Sequence, residues 1–137
     1  MKRKGFTLVE LVIVIVIVGI LSIVAVPIYR GYTRKAMGTE AKSLLGSIQT
    51  AQKVYYAEYA EFLNLSGSTT FNEALDVDAR SNKYFKSFTV TATKDANNPS
   101  FTAATSGDTS SAASGISMTL TAYKSGDPKW TDVGLNN

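Results

Sequence analysis

An apolar stretch from Gly5 to Pro27, GFTLVELVIVIVIVGILSIVAVP, constrains the fold of this 137-residue chain more than any other feature. As an α-helix, the part from Phe6 to Val26 would span about 32 Å at about 1.5 Å per residue. That length matches the hydrocarbon core of a bilayer, which is about 30 Å thick. The stretch holds a single charged side chain, Glu10. We therefore predict one membrane-spanning helix near the start of the chain.

A short basic head, Met1-Lys2-Arg3-Lys4, precedes this stretch. Basic residues remain on the cytoplasmic side of a membrane, so the larger C-terminal part is expected on the outer side. A secretory signal would carry a shorter apolar core followed by a small-residue cleavage site. Here the small residue, Gly5, comes before the apolar run. A signal anchor that is never cleaved is the plain alternative.

The residues Lys4-Gly5-Phe6-Thr7-Leu8-Val9-Glu10, followed by a long apolar run, resemble the class III signal of type IV prepilins and type II secretion pseudopilins. In that family the leader is cut after the glycine, and the new N-terminal residue is N-methylated. The resemblance implies a leader of residues 1–5, cleavage between Gly5 and Phe6, and methylation of Phe6. It implies as partners the prepilin peptidase/N-methyltransferase, the pilus assembly platform, the inner membrane before assembly and further identical subunits.

Glu10 is the most informative single residue of the stretch, because a lone carboxylate in hydrocarbon costs at least a few kcal/mol. The resemblance supplies its partner, which is the free amine of Phe6 in a neighbouring subunit. Two opposite charges in an apolar bundle fix the register of one helix against another, because a mismatch leaves both unpaired. The alternative is that Glu10 lies near the headgroups and reaches water.

Three positions inside the apolar run bear on how the helix packs and bends. Gly19 and Ser22 are small enough for close approach of a second helix, although simple tolerance explains them equally well. Pro27 lacks an amide hydrogen and kinks or opens a helix. It could end the membrane span. We expect the helix to continue beyond it, and the resemblance implies that the segment from Gly19 to Pro27 can melt in a filament.

The charged residues give no sign of nucleic-acid binding. The formal net charge is +3, but without Lys2, Arg3 and Lys4 the basic side chains equal the 11 acidic ones. We therefore expect no direct contact with nucleic acid. The cluster Arg30, Arg34 and Lys35 is interpreted as solvated or headgroup-bound, with charge pairing between subunits as the alternative.

Catalytic chemistry has little support in this composition. The chain has no cysteine and no histidine, which removes disulfides, His-based acid–base catalysis and His metal ligands. Many pilins close their C-terminal region with a disulfide, and this chain departs from that pattern. We expect no enzyme activity, no metal and no cofactor. The acidic residues are interpreted as solvated turn residues; the pseudopilin calcium site is the alternative for Asp76, Asp78, Asp127 and Asp132.

A second helical pattern follows the apolar run directly. Its apolar residues recur every three or four positions, which predicts one buried stripe, while Lys42, Gln49, Gln52, Lys53 and Glu61 fall largely off it. A single helix of roughly 55 residues, about 80 Å long, is expected from Phe6 to near Ala60. The stripe consists of Met37, Ala41, Leu44, Ile48, Ala51, Tyr55, Tyr59 and Phe62.

The remainder of the chain is predicted to form an antiparallel sheet. Residues 87–93 and 116–123 alternate apolar and polar side chains, as half-buried strands do. A third strand is expected near residues 101–105 and a last short one around Trp130, whereas residues 71–77 are expected to form a short helix or turn. Residues 106–115 are predicted to be a flexible tip, and Asn64-Leu65-Ser66 is a weak glycosylation sequon.

These patterns predict an α+β chain with the type IV pilin fold, in which one long helix packs on three or four antiparallel strands. The expected segments are the leader (1–5), the transmembrane or filament-core helix (6–27), its amphipathic half (28–62), a connecting loop (63–84) and the sheet head (85–137). The function this implies is that of a pilin, a structural subunit processed in the inner membrane and polymerised into a surface filament. A type II secretion pseudopilin, a monomeric anchored binding protein and an anchored enzyme are the alternatives.

Overall fold

A computed structural model describes residues 5–135, so the basic head Met1–Lys4 lies outside the described part. Within these residues the chain forms one helix followed by six strands. This confirms the predicted α+β class. The described chain falls into two compact units, one up to Thr33 and one from Arg34 onward. The elements are α1 Leu8–Tyr59, β1 Phe71–Asn72, β2 Val77–Asp78, β3 Phe88–Thr93, β4 Ser100–Ser106, β5 Ser117–Tyr123 and β6 Lys129–Val133.

The first unit consists of the apolar part of α1. Although Val and Ile are only moderate helix formers, an apolar solvent leaves the backbone no partner other than itself, which favours the helix. The helix runs through Pro27 without a break, as expected from the pattern that resumes after it. The hydroxyls of Ser22 and Thr33 donate to the carbonyls four residues earlier, at 2.7 and 2.9 Å.

The second unit buries one face of the later part of α1. The predicted stripe is confirmed for Met37, Ala41, Leu44 and Ile48, which are all buried. It is wrong for Tyr59, which is 61% exposed. Tyr59 is the last residue of the helix, and the next residue, Ala60, has a left-handed φ of 56°. The helical spacing that defines the stripe therefore ends here. The buried face also includes Gly38, Leu45 and Gln52, which were not predicted.

Four strands form an antiparallel meander in the order β3-β4-β5-β6, as the alternating pattern predicted. Val90 lies opposite Ala103, which in turn lies opposite Leu120 on β5. All three side chains are buried, so one face of the sheet supplies the core. The strand expected around Trp130 is present as β6. The buried face of the sheet also includes the polar side chain of Thr105, whose hydroxyl donates to the Ser87 carbonyl at 2.6 Å.

The connection between α1 and β3 contains an additional two-stranded sheet. Residues 71–77 were predicted as a short helix or turn; the turn is confirmed at residues 73–76, and the strands β1 and β2 on either side were not predicted. Each strand has two residues, which is too short for alternation to be visible. Earlier in the connection, the amides of Leu65 and Thr69 donate to the carbonyls of Val90 and Phe88, both at 2.9 Å. These bonds cover the free edge of β3.

Two polar side chains of α1 fasten this connection to the helix. Gln52 is fully buried, contrary to its predicted place off the stripe; its amide nitrogen donates to the Leu63 carbonyl at 2.8 Å. The Leu63 amide donates back to the Gln52 oxygen at 2.9 Å. The Glu40 carboxylate accepts the amides of Lys83, Tyr84 and Phe85 at 3.1, 2.7 and 2.8 Å. The sequence pattern contained no signal for either attachment.

Glycines allow the last described residues to approach the rest of the second unit closely. A Cβ on Gly38 would lie 2.7 Å from Leu135, and one on Gly134, whose φ is 82°, would collide with the Gly115 carbonyl. Of the predicted flexible tip, residues 106–115, Ser106 is the last residue of β4 and residues 109–115 form turns, in which Ala113 is fully buried. The Gly107 amide donates to the Ile116 carbonyl at 2.8 Å and closes this loop.

Candidate functional site at the start of the helix

The first turn of α1 is organised by a reciprocal pair, Thr7 and Glu10. The Thr7 amide and the Thr7 hydroxyl both donate to Oε2 of Glu10 at 2.8 Å. The Glu10 amide donates to the Thr7 hydroxyl oxygen at 3.3 Å. This is a capping box, in which the N-cap residue and the third helical residue satisfy each other's backbone donors. The pair therefore fixes both the start of the helix and the position of the carboxylate.

Thr7 was not identified as a site residue from the sequence, although the signal was present. Thr7-Leu8-Val9-Glu10 matches the Ser/Thr-x-x-Glu signature that marks a helix N-terminus ahead of an apolar run. Glu10 itself was identified because it is a lone carboxylate in an apolar run. In the structure, Glu10 is positioned by hydrogen bonds within its own chain.

The predicted cleavage bond lies just before this cap. Gly5, Phe6 and Thr7 have no regular secondary structure, and the Phe6 side chain is 86% exposed. A Cβ on Gly5 would meet no other atom within 4 Å. The fold of the described chain therefore does not require glycine at this position. A requirement for glycine must come from another molecule, such as an enzyme that binds this segment.

The predicted partners Phe6 and Glu10 are four residues apart, but in the described chain Glu10 is bonded to Thr7 and not to Phe6. In the uncleaved chain the Phe6 nitrogen is part of a peptide bond and carries no charge. Both contacts from Thr7 use Oε2 of Glu10, so Oε1 accepts no hydrogen bond within residues 5–135. The carboxylate thus keeps one oxygen available for a donor from outside the chain.

The apolar side chains from Leu11 to Val26 are not covered by any other part of residues 5–135. Their exposed fractions run from 43% at Val12 upward, and an 18-residue window of α1 has a mean hydropathy of 3.3 with none of it buried. This helix is long and apolar enough to cross a membrane, by length and composition. Water is a poor solvent for such a surface, since each large apolar side chain left uncovered forgoes about 1.5–3 kcal/mol.

Gly19 and Pro27 lie within the same helix, and neither is required by a contact in the single chain. A Cβ on Gly19 would meet nothing within 4 Å. Pro27 cannot donate to the Ile23 carbonyl four residues earlier, so the helix is missing one hydrogen bond there. The segment between them is regular helix in the structure. It is nevertheless the part of the apolar run with the weakest backbone ladder.

The remaining charged candidates are separate from this site. Arg30 and Lys35 are exposed, whereas Arg34 is partly buried and its Nε makes no hydrogen bond within the described chain. In residues 5–135, no three acidic side chains come close enough together to hold a metal ion. A side-chain hydrogen bond from Arg80 lowers the pKa of Asp78 to about 2.

Two further groups show how the surface of the second unit is arranged. A hydrogen bond from Lys94 to Glu61 at 2.6 Å raises the pKa of that lysine. The backbone amide of Ser110 lowers the pKa of Asp108 by donating to its carboxylate. Asn64 of the sequon accepts the Ala92 amide through its side-chain oxygen at 3.1 Å, so it contributes to the covering of β3.

Comparison with known proteins agrees with the geometry of the N-terminal region. Residues 1–26 match the family described as the prokaryotic N-terminal methylation motif. Over 88 residues, or 64% of the chain, it is 41% identical to a fimbrial protein of Neisseria meningitidis serogroup B, half of which is covered. Over 69 residues, or 48% of the chain, it is 39% identical to the type IV major pilin protein PilA of Myxococcus xanthus, of which 31% is covered.

A type IV major pilin protein PilE1 of Neisseria gonorrhoeae is 40% identical over 88 residues, which are 64% of this chain and 40% of that protein. The chain spans about a third to a half of the length of these curated relatives. These relatives are pilins and fimbrial proteins, which are structural proteins and not enzymes, in agreement with the expectation from composition.

Proposed function

Because this chain is a relative of the type IV pilins and carries their N-terminal methylation motif, we propose that it is the structural subunit of a type IV pilus. In this proposal the precursor is inserted in the inner membrane with its N-terminus in the cytoplasm. A prepilin peptidase cuts after Gly5 and methylates the new N-terminus at Phe6. The assembly platform then polymerises the processed subunits into a surface filament for adhesion, motility or DNA uptake.

The uncovered apolar helix is the observation that carries this proposal. Nothing within the described chain packs on the residues from Leu8 to Val26, and each of their large apolar side chains is at least 43% exposed. A membrane satisfies such a surface before assembly. In a filament the same side chains would be covered by the helices of neighbouring subunits, because the dispersion gained by close packing compensates for leaving lipid.

Glu10 has a defined role in this assembly. Its Oε2 is bonded to Thr7, which holds the carboxylate in place, and its Oε1 remains available. Cleavage after Gly5 turns the Phe6 nitrogen into a charged amine. In our proposal that amine, on a neighbouring subunit, binds Glu10. A buried pair of this kind sets register strictly, because removing one partner leaves an uncompensated charge that costs about 3–5 kcal/mol.

The helix between Gly19 and Pro27 supplies the adaptability that packing requires. Pro27 leaves the Ile23 carbonyl without its helical donor, and glycine lowers helix stability at the other end of the segment by about 1 kcal/mol relative to alanine. We propose that this segment extends when subunits pack around the filament axis. The pseudopilin alternative has no specific observation in its favour, since the curated relatives are named as pilins and fimbrial proteins.

The test is an intact-mass measurement on protein sheared from the surface of the native cells. A processed pilin is expected to lack residues 1–5 and to carry one added methyl group. Processed protein confined to the cell envelope would favour the pseudopilin instead. A full-length mass in the membrane fraction would contradict both assignments and identify an uncleaved signal anchor.

A matched pair of glycine variants locates the cleavage site. Gly5→Leu is expected to leave an uncut precursor in the membrane. Gly31→Leu is the control, because a Cβ at Gly31 also meets nothing within 4 Å, and this variant should be cut as the wild type is. A Gly5→Leu product of mature mass would overturn the assigned cleavage site.

A further inference from the structure

A groove in the second unit lies between residues 35–42 of α1 and β6. It has a volume of about 250 Å³, and its floor is apolar, formed by Met118, Trp130 and Leu135. Two exposed lysines, Lys35 and Lys42, stand at its rim on the helix side. We call this surface the basic groove. It combines an apolar floor with an excess of positive charge, since Asp132 is the one acidic side chain in its lining.

Neither lysine of the basic groove is paired with a carboxylate within the described residues. The ion pairs within residues 5–135 are Arg80–Asp78 and Lys94–Glu61, so neither lysine lies in a salt bridge. Lys42 stands over the Trp130 ring at 5.4 Å, and Lys35 is exposed. Seven residues apart on a helix, the two lie on the same face, separated by roughly 10 Å along the axis. Both therefore present positive charge along the same side of the groove.

The late part of the same helix carries the complementary features. Val54 is 59% exposed, and Ala57 and Glu58 are exposed beside it on one face, because positions three and four apart are neighbours on a helix. Glu58 lies in neither of the two ion pairs within the described residues. We call Val54, Ala57 and Glu58 the acidic patch. It presents a small apolar surface next to one unpaired carboxylate.

From these two surfaces we infer that the basic groove of one subunit binds the acidic patch of a second copy of this chain, with Glu58 between Lys35 and Lys42 and Val54 against the apolar floor. The inference rests on the proposed function and specifies a contact for it. Because groove and patch are different surfaces of one chain, the contact is heterologous. Repeated contacts of this kind produce a ring or an open helical filament and not a closed dimer.

The contact also defines a spacing. The centres of groove and patch are about 18 residues apart on the helix, or roughly 27 Å. Subunits with parallel helices would therefore be offset by about that distance along the filament. Charged rims of this kind contribute more to register and partner choice than to raw affinity. The contact would thus select one register among those that the apolar helices alone would permit.

Charge reversal with rescue tests the pairing in the full chain expressed in cells that lack the native copy. Lys42→Glu and Glu58→Lys are each expected to lower the ratio of sheared filament to processed subunit in the envelope by about tenfold, because like charges then face each other. The double variant is expected to recover to within about threefold of the wild type. Lys35→Glu, which leaves the Lys42–Trp130 contact intact, should behave like Lys42→Glu.

The control for charge alone is Lys86→Glu, an equal reversal at an exposed lysine of the second unit outside both the groove and the patch, which should leave the ratio unchanged. A double variant no better than its worse parent would overturn the inference. So would single variants that assemble as the wild type does.

Cysteine cross-linking gives an independent measurement, because the natural chain has no cysteine. Thr39→Cys lies in the basic groove and Ala57→Cys in the acidic patch. On oxidation of filaments, the double variant should give a ladder of multimers, whereas each single variant should remain monomeric. Sheared filaments that form normally but give no ladder would refute this contact and leave the pilin assignment intact. Wild-type protein that is never found in filaments would overturn the pilin assignment, and this contact with it.

Discussion

The two halves of α1 share one continuous backbone but are stabilised in opposite ways. Up to Thr33 the apolar side chains cover the helix on all sides and are exposed, and the polar contacts are local, from Thr7 to Glu10 and from Ser22 to Val18. From Arg34 onward one face is buried, and Glu40 and Gln52 bond to backbone distant in sequence. The first half is left exposed by the described chain and is covered only in the proposed membrane or filament, whereas the second half is stabilised within its own chain.

The important polar residues of the two halves differ in how many of their hydrogen-bonding groups are used within the chain. In the first half, the important polar group, Glu10, satisfies local donors and retains an unused oxygen. In the second half, the side-chain amide of Gln52 is used fully within the chain. Its nitrogen donates to the Leu63 carbonyl, and its oxygen accepts the Leu63 amide. Substitution of the former should therefore affect assembly, and substitution of the latter should affect folding.

The largest effect is expected from Glu10. Glu10→Gln keeps an acceptor for the Thr7 capping bonds but removes the charge, so processing should proceed while filament yield falls by at least about tenfold. Glu10→Ala should do the same. The measurement is the ratio of sheared filament to mature subunit in the envelope, for each variant and for the wild type. Normal filaments from Glu10→Gln would show that charge pairing is not what assembles the subunits.

Gln52 should show the reverse behaviour. Gln52→Leu leaves the partly buried amide and carbonyl of Leu63 without partners, so we expect a loss of roughly 2–4 kcal/mol in the free energy of unfolding. Urea unfolding of the detergent-solubilised protein would measure it. Gln49→Leu, three residues earlier on a less buried part of the helix, should change the stability by less than about 0.5 kcal/mol. Equal effects from the two substitutions would contradict the assigned role of Gln52.

Ala60 allows a test of where the buried half of the helix ends. Its φ of 56° strains alanine by about 1–2 kcal/mol, whereas glycine loses about 0.5–1 kcal/mol more in backbone entropy, so Ala60→Gly should stabilise the protein by about 0.5–1 kcal/mol. Ala57→Gly, inside the helix one turn earlier, should destabilise it by roughly 0.5–1 kcal/mol. The two substitutions are chemically identical, and the expected signs are opposite. Destabilisation by both in urea unfolding would place the helix end beyond Ala60.

Much of this fold could be predicted from the sequence because its signals are local. Alternation in residues 87–93 and 116–123 identified two strands, and the apolar run identified the first half of the helix. The burial of Gln52 and the role of Glu40 could not be predicted, because their partners lie 11 and at least 43 residues away. Nothing near either residue distinguishes it from a solvated side chain.

The candidate site was predicted only in part. Glu10 was predicted because its charge interrupts an apolar run, and its apolar surroundings could be predicted from the same run. Thr7 was missed, although its signature spans four residues, because a threonine is unremarkable in composition. The intermolecular partner of Glu10 remains a prediction, because the structure of a single chain shows only the hydrogen bonds made within that chain. A site residue could thus be predicted where, like Glu10, it differs in charge or polarity from its neighbours in sequence.

The smallest effect is expected at Asp78, a surface residue of the second unit whose partner is local. Its side-chain bond to Arg80 lowers its pKa to about 2, from an ordinary value of 3.8. A lowered folded-state pKa contributes stability above the unfolded value, and that contribution is lost as the pH falls from 3.8 towards 2. Because both side chains are exposed, the stability change should be close to the limit of measurement.

The pKa of Asp78 itself is the sharper observable. An NMR titration of its carboxyl carbon should give a midpoint near 2 in the wild type, rising towards 3.8 in Arg80→Gln. Asp108, whose pKa is lowered by Ser110 instead, should titrate unchanged in that variant and serves as the internal control. If both carboxyls shifted together, the substitution would have acted on the whole unit, and local pairing could not explain the low pKa. A shift confined to Asp78 would show that surface pairs in this unit act singly, unlike the buried bonds of Gln52.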